Sequence, residues 1–138
     1  MTFDTKALSV EADAIAPDGS EVRVLLGLTG GGMAHFTLGP GECSVAVRHR
    51  TVEEIWFVLG GRGDMWRSDG DRSEITDLES GTCVTIPLGT AFQFRASERD
   101  VLTAVAVTMP PWPGDDEAIR AVGPWTPTVA PGAGLASE

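Results

Sequence analysis

Apolar residues along this chain come in short runs, alternating with polar ones and separated by glycine- and proline-rich breaks. Glu21 to Leu28 alternates and is rich in Val and Leu, which predicts a strand. Thr29-Gly30-Gly31-Gly32 reads as a flexible turn, Met33 to Leu38 as the next strand, and Gly39-Pro40-Gly41 as its end. Val45 to His49 leads into a short loop, and Glu54 to Leu59 (EIWFVL) has the β-branched and aromatic character of a buried strand. Gly60-Gly61 closes it, Asp64 to Arg67 returns, and Ser68-Asp69-Gly70-Asp71 is a hairpin signal. Ser73 to Leu78, Thr82 to Ile86, Ala91 to Arg95 and Val101 to Val107 complete the set. Many short strands at even spacing argue for an all-β sandwich or barrel rather than alternating βα units.

The two ends read differently. Residues 1–20 form an irregular lead-in or edge strand that finishes in the turn-like Pro17-Asp18-Gly19, and residues 21–109 hold the barrel strands. Residues 110–138 open on Pro110-Pro111-Trp112-Pro113-Gly114, which ends the strands. Asp115-Asp116-Glu117 then predicts the start of a short helix through Val122, because acidic residues suit a helix N-terminus. From Gly123 the Pro/Gly/Ala/Ser-rich sequence reads as a flexible tail, poorly ordered beyond Thr128. Trp112 is a rigid, proline-framed aromatic: a lid on the barrel mouth, or a clasp against the outer sheet or a second subunit. A proline run after a strand mostly fixes chain direction, which favours the clasp.

Composition narrows the partners. The 138 residues suffice for one domain with a real core, and 42% apolar with 22% charged is ordinary for a globular protein. Ten basic against 20 acidic residues give a net charge of −10, which disfavours nucleic acid and anionic membrane surfaces. Arg48, His49 and Arg50 cluster, but Glu53 and Glu54 flank them. No apolar run is long enough to span a bilayer, and the N-terminus lacks the features of a signal peptide. Cys43 and Cys83 form no zinc or redox spacing and read as buried, reduced thiols, which suits a cytoplasmic protein. Arg62-Gly63-Asp64 spells an adhesion tripeptide, but it falls in a strand of an apparently cytoplasmic chain and is set aside.

Two segments carry a family signature. GECSVAVRHRTVEEIWFVLGG (Gly41 to Gly61) and GTCVTIPLGTAFQFRA (Gly81 to Ala96) resemble the two motifs of the cupin superfamily, G-x5-H-x-H-x3,4-E-x6-G and G-x5-P-x-G-x2-H-x3-N. Gly41, His49, Glu54 and Gly61 match the first, with Val47 at its first histidine position. Gly81, Pro87 and Gly89 match the second, with Phe92 at the histidine position and Ala96 at the asparagine position. The resemblance covers a little under half the chain and implies a double-stranded β-helix, a jelly-roll-like barrel, with a degenerate metal site.

Period two puts Val45, Val47 and His49 on one face, and the resemblance turns that face inward, with His49 beside Glu54. Val47 and Phe92 cannot coordinate a metal, so no cofactor is expected. A divalent metal at His49/Glu54 is the alternative, with His35 or a cysteine restoring a ligand. Without metal, a histidine beside a carboxylate is an oriented general acid or base, and the family includes metal-free sugar epimerases built on a histidine. The resemblance also places Trp56, Phe92 and Phe94 in the cavity; of Met65 and Trp66 only one can face in, and Trp66 is counted with the lining. Gln93 and Arg95 point away, toward the outer face or a dimer contact. The implied function is a cupin that holds a small, apolar or aromatic molecule in its barrel. His49 and Glu54 would supply isomerase, epimerase or lyase chemistry. A metal-dependent cupin oxygenase or isomerase, and a non-catalytic binding or sensing module, are the alternatives. A two-fold homodimer paired through outer sheet faces, with Trp112 and Trp125 near the contact, is the expected assembly.

Overall fold

A computed structural model describes residues 2–137 as eleven strands: β1 (Ala14–Ile15), β2 (Glu21–Leu28), β3 (Gly31–Leu38), β4 (Val47–His49), β5 (Glu53–Gly60), β6 (Arg62–Ser68), β7 (Ser73–Glu79), β8 (Cys83–Ile86), β9 (Ala91–Ala96), β10 (Leu102–Met109) and β11 (Ala118–Arg120). They form two antiparallel sheets, one in the order β1-β2-β3-β10-β5-β8 and the other β11-β4-β9-β6-β7. The jumps from β3 to β10 and from β4 to β9 interleave the two halves of the chain, as a double-stranded β-helix requires. Among the described residues no helix is long and apolar enough to cross a membrane.

Alternation builds the core. On β5, Glu54, Trp56 and Val58 are buried while Glu53, Ile55, Phe57 and Leu59 are exposed; on β10, Leu102, Ala104, Ala106 and Thr108 turn inward. Trp56, Phe92, Phe94, Leu38, Met65 and Val58 fill the space between the sheets. Burying side chains of this size contributes about 1.5–3 kcal/mol each. The rings interlock: Trp56 stacks on Phe36 at 5.2 Å and meets Phe94 edge-on at 4.9 Å.

The C-terminal region departs from the sequence expectation. The short helix is not seen. Ala118–Arg120 instead adds to β4 as β11, with Ala118 opposite His49 and Arg120 opposite Val47. The three acidic residues do not cap a helix. Asp116 takes a left-handed φ of 66°, and Glu117 turns inward. The Glu117 carboxylate accepts hydrogen bonds from Thr51 N (2.7 Å), Thr51 Oγ1 and Val52 N (3.1 Å), tying down the β4–β5 loop. The stretch read as a flexible tail is likewise hydrogen-bonded to the barrel. Thr128 N donates to Cys43 O, Gly132 N to Ala16 O and Ala136 N to Ala118 O. Its proline and glycine content fits a chain laid over a curved surface, where a regular element would not follow.

Candidate functional site

Strand period two assembles the site. Val47 and His49 share the inward face of β4, Val47 stands opposite Phe92 of β9, and Glu54 and Trp56 point inward from β5. All five line one cavity of about 450 Å³, within the range of small-molecule sites. Its walls are mainly apolar, with contributions from Val22 and Phe36, and its ionisable groups are Asp18, His49, Glu54 and Asp115; no lysine or arginine lines it.

His49 Nδ1 stands 2.7 Å from Glu54 Oε2. The carboxylate lies off the ring N–H direction, so the two groups are in close contact without an aligned hydrogen bond. Glu54 Oε1 accepts a hydrogen bond from Trp56 Nε1 at 3.1 Å. The imidazole is held edge-on by Phe92 at 5.2 Å and by Trp112 at 4.9 Å between ring centroids. Trp112 lines the cavity and is 38% exposed, so the PPWPG segment puts its indole over the mouth as a lid, and the favoured clasp reading is corrected.

Four other expectations need correction. Phe94 is buried and packs on Trp56 as core, outside the cavity lining. Met65, opposite Phe94 in the β6–β9 register, takes the inward position, and Trp66, opposite Gln93, faces the other way. Gln93 serves neither a free outer face nor a dimer contact: it is fully buried beneath the C-terminal segment, donating to Ser44 O and Trp125 O and accepting from Trp125 N. Arg95 lies 4.0 Å over the Trp125 ring, so both residues fasten that segment to the barrel. Both cysteines are free, but only Cys43 is buried; the parity that turns Val84 and Ile86 inward leaves Cys83 exposed.

The sequence reading missed Asp18. It sits in the turn between β1 and β2, deeply buried, with Oδ1 accepting from Ser20 N (2.9 Å) and Ser20 Oγ (2.6 Å). Burial pushes its carboxyl above the ordinary aspartate range against the Ser20 hydrogen bonds, with the nearby Glu54 charge adding to the rise. An aspartate two residues before a serine in a Pro-Asp-Gly turn signals local backbone capping, so no sequence signal pointed to the cavity.

The residues do not fit the metal that the motifs normally carry. Two ligand positions are the hydrocarbon side chains Val47 and Phe92, and among the described residues no three His, Cys, Asp or Glu side chains converge as a metal group. His35 cannot restore the set. It pairs with Val105, which stands opposite Phe57, and that row lies on the outer face, away from Trp56. Burial, with the Arg23 charge beside it, holds His35 below its ordinary value.

No protein-family model and no curated protein sequence matches the chain. Solved structures do. An uncharacterized conserved protein with a double-stranded beta-helix domain from Klebsiella pneumoniae superposes with a TM-score of 0.58 at 19% identity, over 66% of this chain and 76% of that one. KdgF from Halomonas sp. gives 0.57 at 18% identity, over 67% and 81%. Oxalate decarboxylase from Bacillus subtilis gives 0.72 at 16% identity over 87% of this chain, which spans only 32% of the decarboxylase. At such identities the likeness speaks for architecture alone, and the architecture is unambiguous: this chain has the cupin fold, a single double-stranded β-helix barrel.

Proposed function

We propose that the barrel binds a small organic molecule, apolar or aromatic in its body, and that His49 and Glu54 act on it as a metal-independent acid/base pair. The observation that carries this reading is the buried 2.7 Å His49–Glu54 contact opening onto an apolar-walled cavity of about 450 Å³. The Glu54 carboxylate beside Nδ1 favours the ring proton there, which leaves the Nε2 lone pair to take a proton from a ligand. Phe92 and Trp112 fix the imidazole plane, and the Trp112 lid limits water access to the pair. The same aromatic walls supply the affinity for the ligand's body. The chain works as a two-fold homodimer in the cytoplasm on this reading, with both thiols reduced.

Native mass spectrometry and elemental analysis of protein purified without added metal test the proposal together. The expected result is a co-purified organic molecule, lost in a Trp56→Ala/Phe92→Ala variant, with metal well below one equivalent. Stoichiometric iron, manganese, nickel or zinc would overturn the metal-independent reading in favour of an altered metalloenzyme.

A further inference from the structure

We propose that Asp18 is the proton-donating partner of the His49–Glu54 pair and that the cavity takes an uncharged, apolar-bodied carbonyl compound with an acidic C–H beside its carbonyl. This rests on the acid/base reading of the cavity and names its substrate class.

Three observations carry it. First, Asp18 is only 6% exposed and lines the same cavity as His49 and Glu54. Its Oδ1 is committed to Ser20, while Oδ2 accepts no hydrogen bond among the described residues. A turn that needed only local capping would be served by Oδ1 alone. Second, the turn is rigid. Asp18 O accepts from Val45 N, Ala16 N donates to Ser20 O, and Gly132 N donates to Ala16 O, so the backbone that carries the carboxyl is tied down by three hydrogen bonds. Third, the lining holds the carboxyls of Asp18, Glu54 and Asp115 with no lysine or arginine. A carboxylate or phosphate ligand would meet like charge in a low-dielectric space, which argues against small dianions of the oxalate type. Burial raises the Asp18 carboxyl above its ordinary value against the Ser20 hydrogen bonds, with the Glu54 charge adding to the rise and His49 opposing it, which favours the proton-bearing form that a donor needs. Two groups whose environments separate their proton affinities divide naturally into acid and base.

The step balances without any co-reactant. His49 Nε2 takes the proton from the carbon beside the carbonyl, and the C–H electron pair becomes the C=C bond of the enol. The carbonyl π pair takes the Asp18 proton at oxygen. Return of a proton from His49 to the same carbon, as the enol O–H proton goes back to Asp18, regenerates the carbonyl and leaves hydrogen exchanged at that carbon.

Three measurements test this. Carbon-13 titration of the side-chain carboxyls should show Asp18 ionising above the exposed aspartates; ionisation together with them overturns the proposal. Because a raised folded-state value adds stability that is present at low pH and lost as pH rises through that value, Asp18→Asn should raise Tm relative to the parent at neutral pH and not at pH 4. A turn residue with only a structural role would give no such pH-dependent gain. Quenching of tryptophan fluorescence should rank 2-tetralone above 2-naphthoate by about tenfold or more, the scale set by desolvating a charge that meets only like charge. Tighter binding of the anion overturns the substrate class, whereas no binding by either compound overturns the cavity reading as well. In D₂O the parent should accelerate exchange of the 2-tetralone C1 hydrogens, and Asp18→Asn should lose about 10²-fold of that rate with binding nearly unchanged. An Asp18→Asn rate equal to the parent's removes Asp18 from the chemistry and leaves His49–Glu54 standing; a His49→Asn rate equal to the parent's removes the pair itself and the proposal with it.

Discussion

Val47 and Phe92 decide what this barrel is, because each replaces a ligand position with hydrocarbon while keeping the backbone that aimed it. They face each other across the β4–β9 register, almost wholly buried, beside His49 and Glu54. Val47→His with Phe92→His should therefore rebuild a four-ligand set. Calorimetric titration with nickel or manganese should show tight binding by the double variant and weak binding by the parent, and metal should raise the Tm of the variant only. The apo variant should be less stable than the parent, since each lost apolar side chain forfeits about 1.5–3 kcal/mol of burial. Equal affinities in parent and variant would mean that these positions do not converge. Glu117 gives a second test at this scale. Burial works to raise its carboxyl, but the hydrogen bonds from Thr51 and Val52 outweigh that and hold it below the ordinary glutamate range. A depressed folded-state value gives stability that is present above the unfolded value and lost as pH falls through the folded one. Glu117→Gln should thus cost about 1–3 kcal/mol at neutral pH, typical of hydrogen bonds to a charged group, and the gap to the parent should narrow in thermal melts below about pH 4. A gap that is constant with pH would show that the charge of Glu117 is irrelevant.

At the scale of the element, period and punctuation made the strands legible, and tertiary contacts decided the rest. β2 could be read from its Val- and Leu-rich alternation and β5 from its β-branched and aromatic character, although only β5 sets one whole face into the core. Period two put Val47 and His49 on one face, and the resemblance to the cupin motifs turned that face inward and set Glu54, Trp56 and Phe92 around the same cavity. Alternation could not choose between Met65 and Trp66, since two adjacent large side chains give the same pattern in either phase; the β9 register chose Met65. The helix expected after Asp115 failed for a different reason. Three consecutive acids satisfy a helix N-terminus locally, but here Glu117 is consumed by a loop 65 residues earlier in the chain, a partnership that no local pattern can display. Asp18 stayed hidden because its turn explains it completely at short range. Glycines carry the elements' own predictions. Gly61 has φ +81°, and a Cβ there would come within 2.1 Å of Val101 O, whereas Gly81 has φ +93° with open space around it. Gly81→Ala should cost about 1–2 kcal/mol of backbone strain, and Gly61→Ala distinctly more, by urea denaturation. Gly132→Ala should also destabilise, because its Cβ would meet Ile15 O; a tail with no role would show no change. Equal midpoints for Gly61→Ala and Gly81→Ala would contradict the close approach of the β5–β6 turn to the β9–β10 connection.

For the whole molecule, a net charge of −10 sets the terms on which two copies can meet. Like-charged surfaces repel, so a self-contact must form where charge is sparse and apolar area is exposed. The outer face of the six-stranded sheet meets both conditions. Ile55, Phe57 and Leu59 alternate outward along β5 at 43%, 45% and 44% exposure. Val105 and Val107 of β10 stand opposite Phe57 and Ile55, and Met33 of β3 stands opposite Val107. Trp112 and Trp125, the other candidates for a contact, are occupied by His49 and Arg95. Face-to-face pairing of this sheet about a two-fold axis would cover the apolar rows in both copies. Light scattering at micromolar concentration should therefore give twice the 14.5 kDa chain mass. Phe57→Glu should place two carboxylates against each other in that interface and return the protein to monomer, because like charges at a buried contact cost several kcal/mol. Since Phe57 points away from Trp56 and the cavity, the variant should keep its ligand affinity and its fold, visible as an unchanged far-ultraviolet spectrum. A parent that scatters as a monomer would defeat the assembly outright, and a dimer that survives Phe57→Glu would move the contact to another face.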